Sequence, residues 1–408
     1  MTNPYAYLSA EKFWRSGVAD QDTSRTFDNI WTSRFPLEKT TKFLTAGSCF
    51  AQHISKWLIS NGYQWIDTEP APAEMSDAER LENNYGVFSF RTGNIYTSSL
   101  LRQWLEQALT ISPSPIEEVF VEDGRYFDPL RPLISKNGFA TKEELLTART
   151  LTVQNIKTGF ENADVFIFTL GLTESWKHKV GYTYAMCPGT AKGTFDRETV
   201  LFENLDYQTI LFDLERCFEL IKSVNPEMKF LLTVSPVPLT ATASEDHVLP
   251  ATIYSKSVLR GVAGHLKATR EDVDYFPSYE LISSFPIRGA YYEENLRSVK
   301  PSGVEFVMRH FEQGISTPQA AVSEKTGAQP PVPAAVAKDQ NEDDVLCDEV
   351  MLENWNPHKS VSQADHYCLI GDSHMGLLSE SLTRLGVSNA GGMIMNGAAW
   401  TSNLFHLD

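Results

Sequence analysis

Three apolar runs, each stopped by glycine or serine at its carboxyl end, constrain this chain more than any other feature. They are Lys42-Phe43-Leu44-Thr45-Ala46 before Gly47-Ser48, Ala163-Asp164-Val165-Phe166-Ile167-Phe168-Thr169-Leu170 before Gly171, and Lys229-Phe230-Leu231-Leu232-Thr233-Val234 before Ser235-Pro236. Apolar runs of this continuity suit central parallel strands covered on both faces. Open α/β sheets of that kind bind ligands beyond the carboxyl ends of their strands. Ser48, Thr173 and Ser235 are therefore expected as neighbours along one sheet edge, although ordinary loop and cap chemistry accounts for Thr173 and Ser235 as well.

The first run passes through Gly47-Ser48-Cys49-Phe50-Ala51 into a helical pattern. Ala51, Ile54, Trp57 and Leu58 share the three-and-four spacing of one buried face, which predicts a helix from Ala51 to Ser60 stopped by Asn61-Gly62. Ser48 then stands at a helix N-terminus, where free N–H groups and the helix dipole stabilise developing negative charge. A capping serine occupies the same place.

Taken with four later segments, this junction resembles the GSCFA-domain proteins of the SGNH (GDSL-like) hydrolase superfamily. The resemblance covers roughly residues 3–312 and runs through Arg91-Thr92-Gly93-Asn94-Ile95-Tyr96-Thr97, Thr169-Leu170-Gly171-Leu172-Thr173-Glu174, Val234-Ser235-Pro236-Val237-Pro238-Leu239 and Tyr275-Phe276-Pro277-Ser278-Tyr279-Glu280. It implies a three-layer α/β/α sandwich with a mainly parallel, flavodoxin-like sheet. It also implies that Ser48 is the nucleophile, with its own N–H and that of Gly93 as oxyanion donors. The third block, ordinarily Gly-x-Asn-Asp, reads Gly171-Leu172-Thr173-Glu174 here, so Thr173 would donate through a hydroxyl of shorter reach.

The last superfamily block, Asp-x-x-His, is where the general base is expected. Aligned by eye, this chain has Asn295 and Ser298 there, and neither does that work. A serine needs an adjacent base. His247, which follows the Ser235-Pro236 strand end, is the expected substitute, with Asp246, Glu245 or Glu294 to orient it. His53 lies near the flank of the first helix and suits a structural role, while His178, His265 and His310 are expected at the surface.

Asn94, Glu174, Trp176, Lys256 and Arg260 are the candidates for holding substrate. Trp176 belongs to an aromatic loop with Tyr182 and Tyr184, and aromatic faces suit a sugar ring, an acyl chain or simple core packing. Lys256 and Arg260 suit an anionic group or, by their helical spacing, a solvated face. The segment from Arg91 to Phe160, including Asp128-Pro129-Leu130-Arg131-Pro132, is expected to form a cleft and lid.

The chain has 52 acidic against 35 basic residues, a net charge of −17, which argues against nucleic-acid partners. No apolar run reaches the roughly 18 residues needed to span a bilayer, and the N-terminus lacks a signal-peptide pattern, so a cytoplasmic protein is expected. Five cysteines without metal-ligand spacing indicate neither a disulfide framework nor a zinc site, and no metal or cofactor is expected. Cys49, beside Ser48, reads as packing.

Three parts are expected: a domain over 1–313 with an N-terminal extension over 1–40, a disordered Pro/Ala/acidic linker over 314–345, and a partial second SGNH-like segment over 346–408. The last holds Gly371-Asp372-Ser373-His374, which makes Ser373 a second nucleophile candidate or an inert relic. On this basis the chain is expected to be a serine-dependent ester hydrolase or O-acyltransferase acting on an acylated carbohydrate. A carbohydrate-binding or scaffolding module without turnover is the alternative.

Overall fold

The computed structural model describes residues 3–22, 26–111, 113, 115–316, 368–371 and 391–394. Along the first unit the elements run β1 (Lys42–Gly47), α1 (Ala51–Ser60), β2 (Gln64–Trp65), α2 (Asp77–Glu82), α3 (Ser98–Leu109), β3 (Phe120–Glu122), β4 (Arg125–Phe127) and α4 (Lys142–Asn162). They continue through β5 (Val165–Leu170), β6 (Glu174–His178), β7 (Thr183–Tyr184), β8 (Val200–Asn204), α5 (Tyr207–Val224), β9 (Lys229–Val234), α6 (Val248–Thr269), β10 (Val273–Tyr275), α7 (Ser278–Ser283) and α8 (Pro301–Ser316).

The three apolar runs are β1, β5 and β9. They lie side by side in a sheet of order β10-β9-β5-β1-β2 in which every pairing is parallel. Counted by their place in this sheet the strands read 2-1-3-4-5, the doubly wound order whose direction reverses between β1 and β5.

Strand periodicity explains why the runs must be apolar throughout. Alternate residues point to opposite faces. Leu44, Ala46, Phe166, Phe168, Leu170, Phe230, Leu232 and Val234 pack under α3, α4, α5 and α6. Phe43, Val165, Ile167 and Leu231 pack under α1, α7 and α8. Two cores on one sheet make three layers, as expected. Part of the N-terminal extension belongs to the second core, since Phe27, Trp31, Phe35 and Leu37 are buried in it and Trp31 Nε1 donates to Asp274 Oδ2 at 3.1 Å.

Two antiparallel additions sit outside the main sheet. One is the β3–β4 hairpin, turned at Asp123-Gly124 with both residues at positive φ. The other, of order β7-β6-β8, begins directly after the third-block loop, so Glu174, Trp176 and His178 lie on a strand where the sequence suggested a loop.

In the second unit, β11 (Cys368–Gly371) pairs in parallel with β12 (Gly391–Ile394). A strand therefore ends immediately before Asp372-Ser373. Helix α8 runs through Ser316, so the first three residues of the linker expected over 314–345 are helical. The rest of that linker and Ser373 lie outside the described residues.

Candidate active site

Ser48 follows β1 at the point where the strand order reverses. Its N–H donates to Thr169 O on β5 at 3.1 Å, and the Ile95 N–H donates to Gly47 O at 2.8 Å. Gly47 has φ +135°, and a Cβ there would stand 2.4 Å from Thr169 O, so only glycine brings β1 this close to β5. Gly171 closes the other side: a Cβ on it would meet Ser48 Cβ at 3.2 Å and Tyr96 O at 2.8 Å.

The Ser48 side chain is buried, and its Oγ has no hydrogen-bond partner. It does not cap α1, whose N-cap is Phe50 with no side-chain cap hydrogen bond, while Ser48 O accepts from the Ala51 N–H at 2.8 Å. The capping role open to Ser48 from sequence is thus not the one it takes. Its backbone N–H is also not an oxyanion donor in this arrangement, because it is committed to Thr169 O.

Gly93 sits at φ +69° in a small pocket with Thr92, Asn94 and Arg131, and Gln52 on α1 donates to Asn94 Oδ1 at 3.3 Å. The second and third loops are joined by the Leu172 N–H, which donates to Tyr96 O at 3.0 Å. Thr173 is fully buried, with its N–H on Ser255 Oγ at 3.0 Å and its hydroxyl on Asn204 Oδ1 at 2.6 Å. Any donation by Thr173 to a substrate therefore runs through Asn204, at the exposed end of β8.

The expected base lies elsewhere. His247 is exposed at the N-cap of α6, where its Nδ1 accepts from the Leu249 N–H at 3.2 Å. Its loop does reach the same rim, since Glu174 accepts from the Thr242 hydroxyl and from the Ala243 N–H. Glu174 is thereby occupied in holding that loop. Glu294 is exposed, and Asn295 and Ser298 close a surface turn in which Asn295 Oδ1 accepts from the Arg297 and Ser298 N–H groups, both at 2.9 Å. None of these groups hydrogen-bonds Ser48 Oγ.

Of the basic candidates, Arg260 pairs with Glu280 and lies over the Tyr275 ring, and Lys256 is 2% exposed with its Nζ on Gly171 O at 2.6 Å. Lys256 is therefore not on the solvated helix face that spacing alone allowed, whereas Arg260 remains partly exposed. Trp176 packs against Phe195 and Phe202 within the antiparallel addition.

Two further expectations change. His310 is buried in place of a surface position; its Nε2 accepts from the Phe27 N–H at 2.9 Å, and its Nδ1 lies 2.7 Å from Phe306 O, the arrangement of a neutral ring. The Asp128–Arg131 segment is no lid, because both side chains are buried and ion-paired at 2.9 Å. Asp128 also binds Arg149 at 2.7 Å, and Arg131 Nη1 donates to Arg91 O and Thr152 Oγ1. Burial would raise the Asp128 pKa, but the Arg149 and Arg131 guanidiniums outweigh it and hold the carboxyl below its usual range. Sequence reasoning missed this network, whose one signal was an acid and a base three residues apart, each followed by a proline.

His53 is held neutral, its pKa pushed down to about 4 by burial and by Lys56. Among the described residues no group of three His, Cys, Asp or Glu could hold a metal ion, and no helix is long and apolar enough to cross a membrane.

A parallel sheet of doubly wound order flanked by helices on both faces defines an α/β protein, with a serine hydroxyl that lacks a partner at the reversal point. The chain belongs to the GSCFA family, whose model matches residues 42–311. No curated protein matches it significantly. Solved structures similar to it include a carbohydrate esterase family 3 protein from Talaromyces cellulolyticus, at 10% identity and a TM-score of 0.29, covering 67% of this chain and 95% of that one. Another is the periplasmic domain of a lipopolysaccharide acetyltransferase from Salmonella ser. Paratyphi A, at 14% identity and a TM-score of 0.27, covering 77% of this chain and 97% of that one. At such scores the site has to be argued from this chain's own residues.

Proposed function

We propose that the chain is a serine-dependent ester hydrolase or O-acyltransferase of SGNH type, acting on an acylated carbohydrate or polysaccharide. The observation that carries this reading is the Ser48 hydroxyl. A buried hydroxyl without a partner costs about 1–3 kcal/mol, yet this one sits at the sheet reversal, is glycine-packed on both sides and caps nothing.

In the reaction, Ser48 Oγ attacks the acyl carbonyl and the ester alkoxide leaves as a sugar hydroxyl. Water then releases the acid, or a second sugar hydroxyl takes the acyl group. The Gly93 N–H and the amide of Asn204, oriented by Thr173, supply the oxyanion donors. A non-catalytic carbohydrate-binding module is the second reading, and what favours it is that no described imidazole or carboxylate hydrogen-bonds Ser48 Oγ.

The test is release of acetate from p-nitrophenyl acetate and from acetylated xylo-oligosaccharides, by wild type and Ser48→Ala. Loss of 10³-fold or more with an intact fold supports the enzyme. Saturable sugar binding without acetate release by either protein favours the module.

A further inference from the structure

Resting on the Ser48 reading, we propose that Lys256 is the general base for Ser48, in a Ser–Lys pair that bridges the third-block loop. Two successive residues of α6 grip that loop: Ser255 Oγ accepts from the Thr173 N–H at 3.0 Å, and Lys256 Nζ donates to Gly171 O at 2.6 Å. Gly171 in turn lies against Ser48, so close that a Cβ on it would come within 3.2 Å of Ser48 Cβ. Lys256 is thus a proton-carrying side chain anchored to a residue that touches the nucleophile. The imidazole and carboxylate candidates from sequence, His247 and Glu294, are both exposed.

Burial decides what such a lysine can do. A lysine at 2% exposure is withdrawn from water, and desolvation is how lysines reach the neutral form that a base requires. A neutral amine has two N–H groups and one lone pair. In this structure Lys256 Nζ is bonded to Gly171 O and not to Ser48 Oγ. In the proposed reaction one N–H keeps the bond to Gly171 O while the lone pair swings to Ser48 as substrate binds.

The proton balance is complete without a co-reactant. Nζ takes the Ser48 Oγ proton as Oγ bonds to the acyl carbon, and the carbonyl electron pair moves onto oxygen. When the tetrahedral species collapses, the bond to the alkoxide oxygen breaks and the ammonium returns the proton to that oxygen. Deacylation repeats the sequence with water or a sugar hydroxyl as the attacking group.

The test is a double-mutant cycle on the acylation rate by p-nitrophenyl acetate, measured at pH 9 and followed by intact mass. Lys256→Met is expected to slow acylation of Ser48 by about 10²–10⁴-fold, the usual worth of a general base. In a Ser48→Cys background the same change is expected to cost less than about fivefold, because a thiol near its own pKa is largely thiolate and needs no base. A purely structural lysine slows both backgrounds equally, and that result overturns the proposal.

Should Lys256→Met fail to fold, Lys256→Arg keeps a donor for Gly171 O but cannot accept a proton. Acylation of Lys256→Arg at the wild-type rate would also overturn it. If wild type is acylated and Lys256→Met is acylated as fast, the serine reading stands and the base lies elsewhere on the rim. If wild type is not acylated at Ser48, the serine reading falls and the Ser–Lys pair with it.

Discussion

Gly47-Ser48 is locked from several directions, by Thr169 O on β5, by the Ile95 N–H and by the face of Gly171, whereas Asn295–Ser298 is a turn whose side-chain bonds from Asn295 stay within the turn, tied back mainly by Arg297 to Pro238 O. The sequence resemblance implies a nucleophile at the first segment and a base at the second. The first is held in place by backbone contacts that tolerate no side chain. The second is an Asx turn in which the exposed Asn295 side chain is satisfied locally. Packing thus fixes the backbone at Ser48, while turn chemistry occupies the segment where a base was expected.

The comparison breaks first at the glycines. Gly47→Ala places a methyl group 2.4 Å from Thr169 O at a φ that L-residues avoid. We expect a loss of about 3–5 kcal/mol by denaturant unfolding. A loss below 1 kcal/mol would show that β1 and β5 have room to part and that the site is less rigid than its packing indicates.

Next comes the buried network that backs the Gly93 loop. Arg131→Met leaves Arg91 O without its guanidinium donor and Asp128 with Arg149 alone. Breaking one partner of a buried pair costs about 3 kcal/mol or more, and acetate release is expected to fall more than the residual folded fraction explains. Equal falls would make the network structural only.

Acid probes the sheet face covered by α1 and α8 in a milder way. His53 and His310 both have pKa values lowered in the folded chain, chiefly by burial. Their contribution is fully present above the unfolded value of about 6.5 and is lost as pH falls toward the folded value, because the unfolded chain takes up protons first. For His53 that window closes at about 4. Stability should therefore decline between pH 6.5 and 4, and His53→Gln should flatten the decline by about 1–3 kcal/mol. A pH profile unchanged by the substitution would mean that the ring is hydrated.

The smallest effect is expected where a base would ordinarily stand. Asn295→Ala removes two acceptor bonds and one donor bond at the protein surface, for about 0.5–1.5 kcal/mol. Turnover should stay within twofold of wild type. A tenfold loss would return a catalytic role to this loop.

Much of the sheet was legible because strand and helix periods differ so clearly. The helix from Ala51 to Ser60 and the strand from Lys229 to Val234 match their expected bounds, and β5 begins two residues later than its apolar run. The placement of Ser48 followed from that pattern. What could not be read was long-range polar pairing. Nothing local tells that Thr173 meets Asn204, that Lys256 turns inward to Gly171 O, or that His310 receives the Phe27 N–H. Strand Glu174–His178 was hidden for a related reason, since its partners, β7 and β8, are too short to leave a clear periodic signal.

Ser48 as nucleophile is the claim on which the rest depends. The most direct measurement is intact-mass detection of covalent adducts after exposure to a fluorophosphonate, with peptide mapping of the site. The account predicts a single adduct on Ser48 that is absent in Ser48→Ala. An unmodified protein, or an adduct carried elsewhere and retained in Ser48→Ala, would contradict it.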